Sequence, residues 1–185
     1  MNAKIRHNNA MHAEPPTARV LKQRSLRRPG DRDRYLPNSM DEVTTQLDDL
    51  LADAFSSGPT SEGSISAAEQ KLGLLFAPSY KLFLSRFGAS LCKGFTLYGL
   101  PPTTDPNRPP QWTDAVKSTL RLRPDSLPEN SVHISHDGVD HGFFLQCSKT
   151  DPSFDGPVIE WGPDHDGGKV IAPNFIAFVA SQLAR

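Results

Sequence analysis

The feature that most restricts the fold of this chain is a change of hydrophobic period at Gly88. Before it, apolar residues recur at helical intervals; after it, they alternate. One local structure cannot satisfy both a 3.6-residue and a two-residue period, so the chain must be helical first and built of strands afterwards. From Met40, residues Val43, Leu47, Leu50, Leu51, Ala54 and Phe55 predict a helix, with Ser39 and Glu42 as its capping box and Gly58-Pro59 as its stop. SISAAEQKLG predicts a second, short helix opened by Ser66 and Glu69 and closed by Gly73. In APSYKLFLSRFG, Pro78 suits a first helical turn, Tyr80, Phe83, Leu84 and Phe87 share a face, and Gly88 ends the element. Three helices are thus expected before any strand.

GFTLYGL, residues 94–100, is rich in aromatic and branched residues and stops at Pro101-Pro102, as a strand would. Residues 101–130 hold seven prolines and predict a loop interrupted by a helix through WTDAVKSTLR. Strands are predicted again at SVHIS, GFFLQC and PVIEW, and a closing helix at APNFIAFVASQLAR, where Phe175, Phe178, Val179 and Leu183 keep helical spacing. This order predicts a single α+β domain, with a mainly antiparallel, meander-like sheet and the helices packed on one of its faces.

Charge divides the chain. Residues 1–36 carry nine basic side chains against three acidic ones, net +6, whereas residues 37–185 carry 11 against 18, net −7. We expect a disordered basic extension over 1–38 and a folded acidic domain over 39–185. The extension reads as solvated charge before it reads as a nucleic-acid arm, so nucleic acid is expected only as a weak partner there. Met40 is a candidate alternative start of translation. Hydrophobic residues make up 37% of the 185, with no apolar run long enough for a bilayer and no signal-peptide pattern. Two cysteines, Cys92 and Cys147, are too few for a disulfide framework, so a reduced, cytoplasmic setting is expected.

HISHDGVDH, residues 133–141, gathers three histidines and two aspartates and raises the question of a metal. Alternation predicts Val132 and Ile134 inward and His133 outward. Asp137-Gly138 predicts a type I′ hairpin turn that sets Ile134 against His141 and Val132 against Phe143. In that register the imidazoles point to different sides and cannot share a tetrahedral ion. A turn at Gly138-Val139 would instead bring His136 opposite His141, with His165 or Asp166 as a third ligand. The expectation is a structural hairpin, in which replacing His133 and His136 together with Ala leaves stability unchanged.

No serine elbow, phosphate loop or HExxH is present. Cys147 falls on the apolar parity of its strand, Trp161 reads as a core or sheet-edge aromatic, and Glu160 as a solvated residue. Trp112, in the proline-rich insertion, has the setting of an exposed aromatic anchor.

Taken together, SISAAEQKLGLLFAPSYKLFLSRFGAS, GFTLYGL, LPENSVHISHDGVDHGFFLQC, GPVIEWGP and APNFIAFVASQL resemble the SUKH superfamily, a domain also found in a yeast cell-wall assembly regulator. The resemblance lies in Glu69, Leu72 and Gly73; in Pro78, Tyr80 and Gly88; in Tyr98-Gly99; in the Asp-Gly hairpin; in Val158 and Trp161; and in Phe175. The chain departs from the pattern at Val139-Asp140, where the family commonly has Gly-Asp or Gly-Asn. The insertion from Pro101 to Trp112 does not align with that pattern. The resemblance implies a helix-flanked antiparallel sheet serving as a binding scaffold, without catalytic triad, metal centre or cofactor. In bacteria it most often implies an immunity protein that neutralises a toxin by direct binding.

Three functions compete. The first is an immunity protein against a cognate toxin, for which a basic nuclease would suit the acidic domain. The second is a regulatory interaction module of the cell-wall type, and the third a small metal hydrolase on the histidine cluster. For the binding readings, Asp105 in the insertion, Asp164 and Asp166 in PDHDGG, and Trp112 are the candidate contacts.

Overall fold

The computed structural model describes residues 40–102, 113–164 and 167–184. The expected extension over 1–38, the Ser39 cap, Asp105, Trp112, His165 and Asp166 lie outside the described residues. The described elements run α1 (Met40–Leu51), β1 (Phe55–Ser56), α2 (Glu62–Leu72), α3 (Pro78–Phe87), β2 (Ser90–Cys92), β3 (Phe95–Leu97), α4 (Ala115–Leu122), β4 (Ser131–His136), β5 (Gly142–Gln146), β6 (Val158–Trp161), β7 (Lys169–Ala172) and α5 (Phe175–Leu183). The architecture is α+β, with two antiparallel sheets ordered β1-β2-β3 and β4-β5-β6-β7.

The first helix buries Val43, Leu47 and Leu51, one residue per turn, and places Asp41 and Glu42 at its positive end. It stops at Leu51, short of the expected Gly58-Pro59. The Ala54 N–H donates to the Leu51 carbonyl at 3.0 Å, and the chain turns into β1, where Phe55 pairs with Leu91 and Ser56 with Ser90. Phe55 therefore belongs to a strand and not to the helical stripe, and a strand precedes the second helix. Cross-strand pairing has overridden the local period.

The second helix starts earlier than expected. Its cap is Ser61, whose hydroxyl accepts from the Ser64 N–H at 3.2 Å, so Ser66 lies inside the helix. Glu69 is engaged elsewhere. Its Oε1 accepts the Phe76 N–H at 2.7 Å and meets Lys81 Nζ at 2.7 Å, clipping the α2–α3 connection. Gly73 closes the helix in the left-handed conformation, φ 67° and ψ 35°. Ala77 offers α3 no side-chain cap, and Ser79 in the first turn donates instead to Asp155 Oδ1 at 2.6 Å. After α3 the backbone crosses itself: a Cβ on Gly88 would meet the Gly58 carbonyl oxygen at 2.2 Å, and one on Gly99 would meet the Gly88 oxygen at 1.6 Å. Gly88 also sits at φ 72°, so this crossing needs glycine on both counts.

The two sheets meet between β3 and β4. A bulge at Ile134 interrupts the β4–β5 register, and the Ile134 carbonyl accepts the Tyr98 N–H at 2.8 Å, while Ser135 Oγ donates to the Thr96 carbonyl at 2.8 Å. One side of β4–β7 packs against α5 in a core that includes Val132, Ile134, Phe143, Leu145, Val158, Phe175 and Phe178. The other side is covered too. Helix α4 lies along β4, and Leu127, Phe144 and Ile159 form a second cluster with Trp161 against it. The helices are therefore not confined to one face. Trp161 is the packed aromatic expected, its Nε1 donating to Ser126 Oγ at 3.1 Å. Glu160 is half-buried rather than solvated.

Phe143 is buried against Phe178, ring centroids 5.2 Å apart, so Phe143→Ala should lower the unfolding free energy by about 3–5 kcal/mol in urea titration. Glu69→Ala leaves the Phe76 N–H without its carboxylate and should cost about 1–3 kcal/mol in the same measurement.

Candidate functional site

The histidine segment forms the end of the β4–β5 hairpin, but with a longer loop than expected. His136 pairs with Gly142 and Val132 with Leu145, so the loop is Asp137–His141 and Val132 does not face Phe143. No non-glycine residue among those described has positive φ, which removes the type I′ turn at Asp137-Gly138; Gly138 alone in the loop takes it, at 87°. The reason is the Asp137 carboxylate, which organises the loop from inside. Its Oδ1 accepts the Val139 N–H at 2.8 Å and the His141 N–H at 3.0 Å, and its Oδ2 lies 3.1 Å from His141 Nδ1. Desolvation pushes the Asp137 carboxyl upward. The two N–H groups, the His141 ring and the charge of His136 outweigh that and hold it below the usual aspartate value.

His133 is the main correction. Expected to point outward, it is 1% exposed, because α4 covers the face it projects from. Its Nδ1 lies 2.8 Å from Ser118 Oγ, and its backbone N–H donates to Thr119 Oγ1 at 2.9 Å. Its ring stacks on Phe144 at 4.5 Å and meets the Tyr98 ring edge-on at 5.0 Å. Nε2 is buried with no hydrogen-bond partner. Burial first, then the neighbouring His136, pull the pKa down to about 4, against a small upward effect of the Ser135 backbone. His133 is therefore a neutral core residue at pH 7, and the expectation that its replacement is silent falls.

Each imidazole is engaged within the fold, and His136 and His141 both lie against Asp137. His133 Nδ1 meets Ser118, His136 Nδ1 accepts the Gly138 N–H at 2.9 Å, and His141 Nδ1 meets Asp137. Among the described residues, no group of three or more His, Cys, Asp or Glu side chains is placed to hold a metal ion. Both cysteines are free and buried; burial raises the Cys92 thiol to about 11 and the Cys147 thiol to about 12, so neither supplies a thiolate near neutrality. Asp155 is raised by burial, against the pull of Ser79, and serves the start of α3.

Of the candidate contacts, Asp164 is exposed in the turn after β6; Asp105, Trp112 and Asp166 lie outside the described residues, and nothing described brings the four together. Two surface features escaped sequence reasoning. Phe55 and Leu91 face each other across β1 and β2 and are 64% and 51% exposed. Leu120 and Leu122 are exposed on α4 beside Lys117 and Arg121. The alternation in ASLC, residues 89–92, was the available signal for the first pair, since it places Leu91 opposite in parity to Ser90 and Cys92.

This arrangement, a strand meander clasped by helices with Glu69, Asp114, Asp137 and Asp155 engaged in loops and caps, is that of a small α+β scaffold. Residues 40–184 match the family described as SUKH_5, SMI1-KNR4 cell-wall, and the chain belongs to that family. No curated protein matches the chain. No described helix is long and apolar enough to cross a membrane.

The buried, neutral His133 ties stability to pH. Its folded pKa, about 4, lies below the ordinary 6.5, so on acidification the unfolded chain takes up a proton that the folded one refuses. The contribution is intact above pH 6.5 and should be lost progressively toward pH 4, by about 3 kcal/mol in all. Urea midpoints from pH 7.5 to 4.5 should fall more steeply for the wild type than for His133→Phe, whereas parallel slopes would refute the assignment.

Proposed function

We propose that this chain is a cytoplasmic, non-enzymatic immunity protein that neutralises a cognate bacterial toxin by direct binding, with no cofactor or metal. The observation that carries the reading is the family match across residues 40–184, which spans the folded domain from the first residue of α1 to the end of α5. Two features support it. Asp137, Glu69 and Asp155, the carboxylates with the most developed surroundings, each hold a loop or a helix start. The net charge of −7 over residues 37–185 suits a basic partner such as a nuclease domain, because complementary charge speeds encounter. Asp105, Asp164 and Asp166 are proposed as steering charges and Trp112 as an aromatic anchor. The cell-wall description of the matched family favours a second reading, a regulatory interaction module.

Co-expression separates the two. Under the first reading, cells carrying the toxin encoded beside this chain survive when it is co-expressed, and the purified pair forms a complex whose association slows as salt rises, since charges are screened over about 8–10 Å at physiological ionic strength. Cells that die regardless, together with no complex on mixing, would remove the immunity reading.

A further inference from the structure

Resting on that binding reading, we propose that the toxin docks on the outer face of the β1-β2-β3 sheet, with Phe55 and Leu91 as its apolar anchor and the exposed side of α1 as its acidic rim. The occupant is a basic protein domain, of the kind that otherwise grips a nucleic-acid backbone.

The anchor stands out within its own sheet. Ser56, Ser90 and Cys92 alternate with Phe55 and Leu91 and turn inward, with Ser90 and Cys92 buried. Phe55 and Leu91 lie directly opposite one another, so their side chains form one continuous apolar surface rather than two scattered contacts. The partner's chemistry follows from α1. Asp41 and Asp49 are exposed on the helix, eight residues or about 12 Å apart along its axis, and Asp53 is exposed past its end, two residues before Phe55. Among the described residues, the ion pairs leave Asp41, Asp49 and Asp53 unmatched, whereas Asp48 on the same helix is held by Arg86. Lys93, in the β2–β3 turn, is exposed at the same end of the sheet as Asp53. An apolar centre bordered by a charged rim is the usual anatomy of a specific interface, and a rim of this sign selects a lysine- and arginine-rich partner.

The test uses the full chain and the toxin domain encoded beside it, made inactive by substitution, in surface-plasmon titrations. Phe55→Ser with Leu91→Ser should weaken binding about thirtyfold or more with the melting temperature retained. Should the pair of serines unsettle the short sheet, Leu91→Lys alone serves as the second variant and should weaken binding comparably. Asp49→Lys with Asp53→Lys should slow association about tenfold and flatten its salt dependence. Leu120→Ser on α4 should bind like the wild type. Full affinity in the Phe55 and Leu91 variants, or loss confined to Leu120→Ser, overturns the surface while leaving the immunity reading in place. A wild-type chain that does not bind at all ends both. A dimer that the Phe55 and Leu91 variants split, with toxin affinity unchanged, assigns the face to a second copy and overturns the proposal.

Discussion

The arrangement depends on the backbone of one residue and on one hydroxyl. Two antiparallel sheets that meet at an angle leave backbone groups at their junction that neither ladder can satisfy, and a buried backbone group without a partner costs about 1–3 kcal/mol. Here the junction residue is Tyr98. Its N–H is taken by the bulged Ile134 carbonyl, and its own carbonyl accepts the hydroxyl of Tyr80 at 2.8 Å. Tyr80 is fully buried, its ring set between Phe76, Phe83 and Phe175 at centroid distances of 5.4, 5.8 and 5.2 Å. One side chain thus joins α3, α5 and the β3–β4 junction. Burial pushes its hydroxyl pKa well above the ordinary value, so it remains a donor across the working pH range.

Much of this was legible as pattern and little of it as pairing. Long segments with a clear period, such as α3 and α5, fall where the spacing of Phe83, Leu84, Phe178 and Val179 puts them. The short strands do not announce themselves. Phe55 continues the stripe of α1 in sequence, and only its pairing with Leu91, far along the chain, makes it a strand. Ser66 and Glu69 have capping-box spacing, yet Ser61 caps the helix by accepting the Ser64 N–H, and Glu69 is drawn to the Phe76 N–H and Lys81. Local chemistry offered two answers in each case; pairing with a distant strand decided the first, and contacts within the α2–α3 region decided the second.

The histidine hairpin shows the same limit at the candidate site. Parity placed His133 on the opposite side from Val132 correctly, but exposure depends on what covers that side, and α4 does. The loop length turned on the Asp137 side chain, whose three contacts within the loop favour five residues over a two-residue turn. Both outcomes draw the imidazoles into the fold. What faces outward is spread over α1, the small sheet and α4, and reads as a surface for contact.

A protein that protects by contact, as proposed, acts in proportion to its amount. The most direct measurement is therefore a titration of toxin activity against increasing chain, at toxin concentrations well above the dissociation constant. Inhibition should rise linearly and end at one chain per toxin, with both proteins recovered intact from the complex. Inactivation of many toxin molecules by a small fraction of an equivalent would contradict direct binding as the means of protection, because that would require turnover.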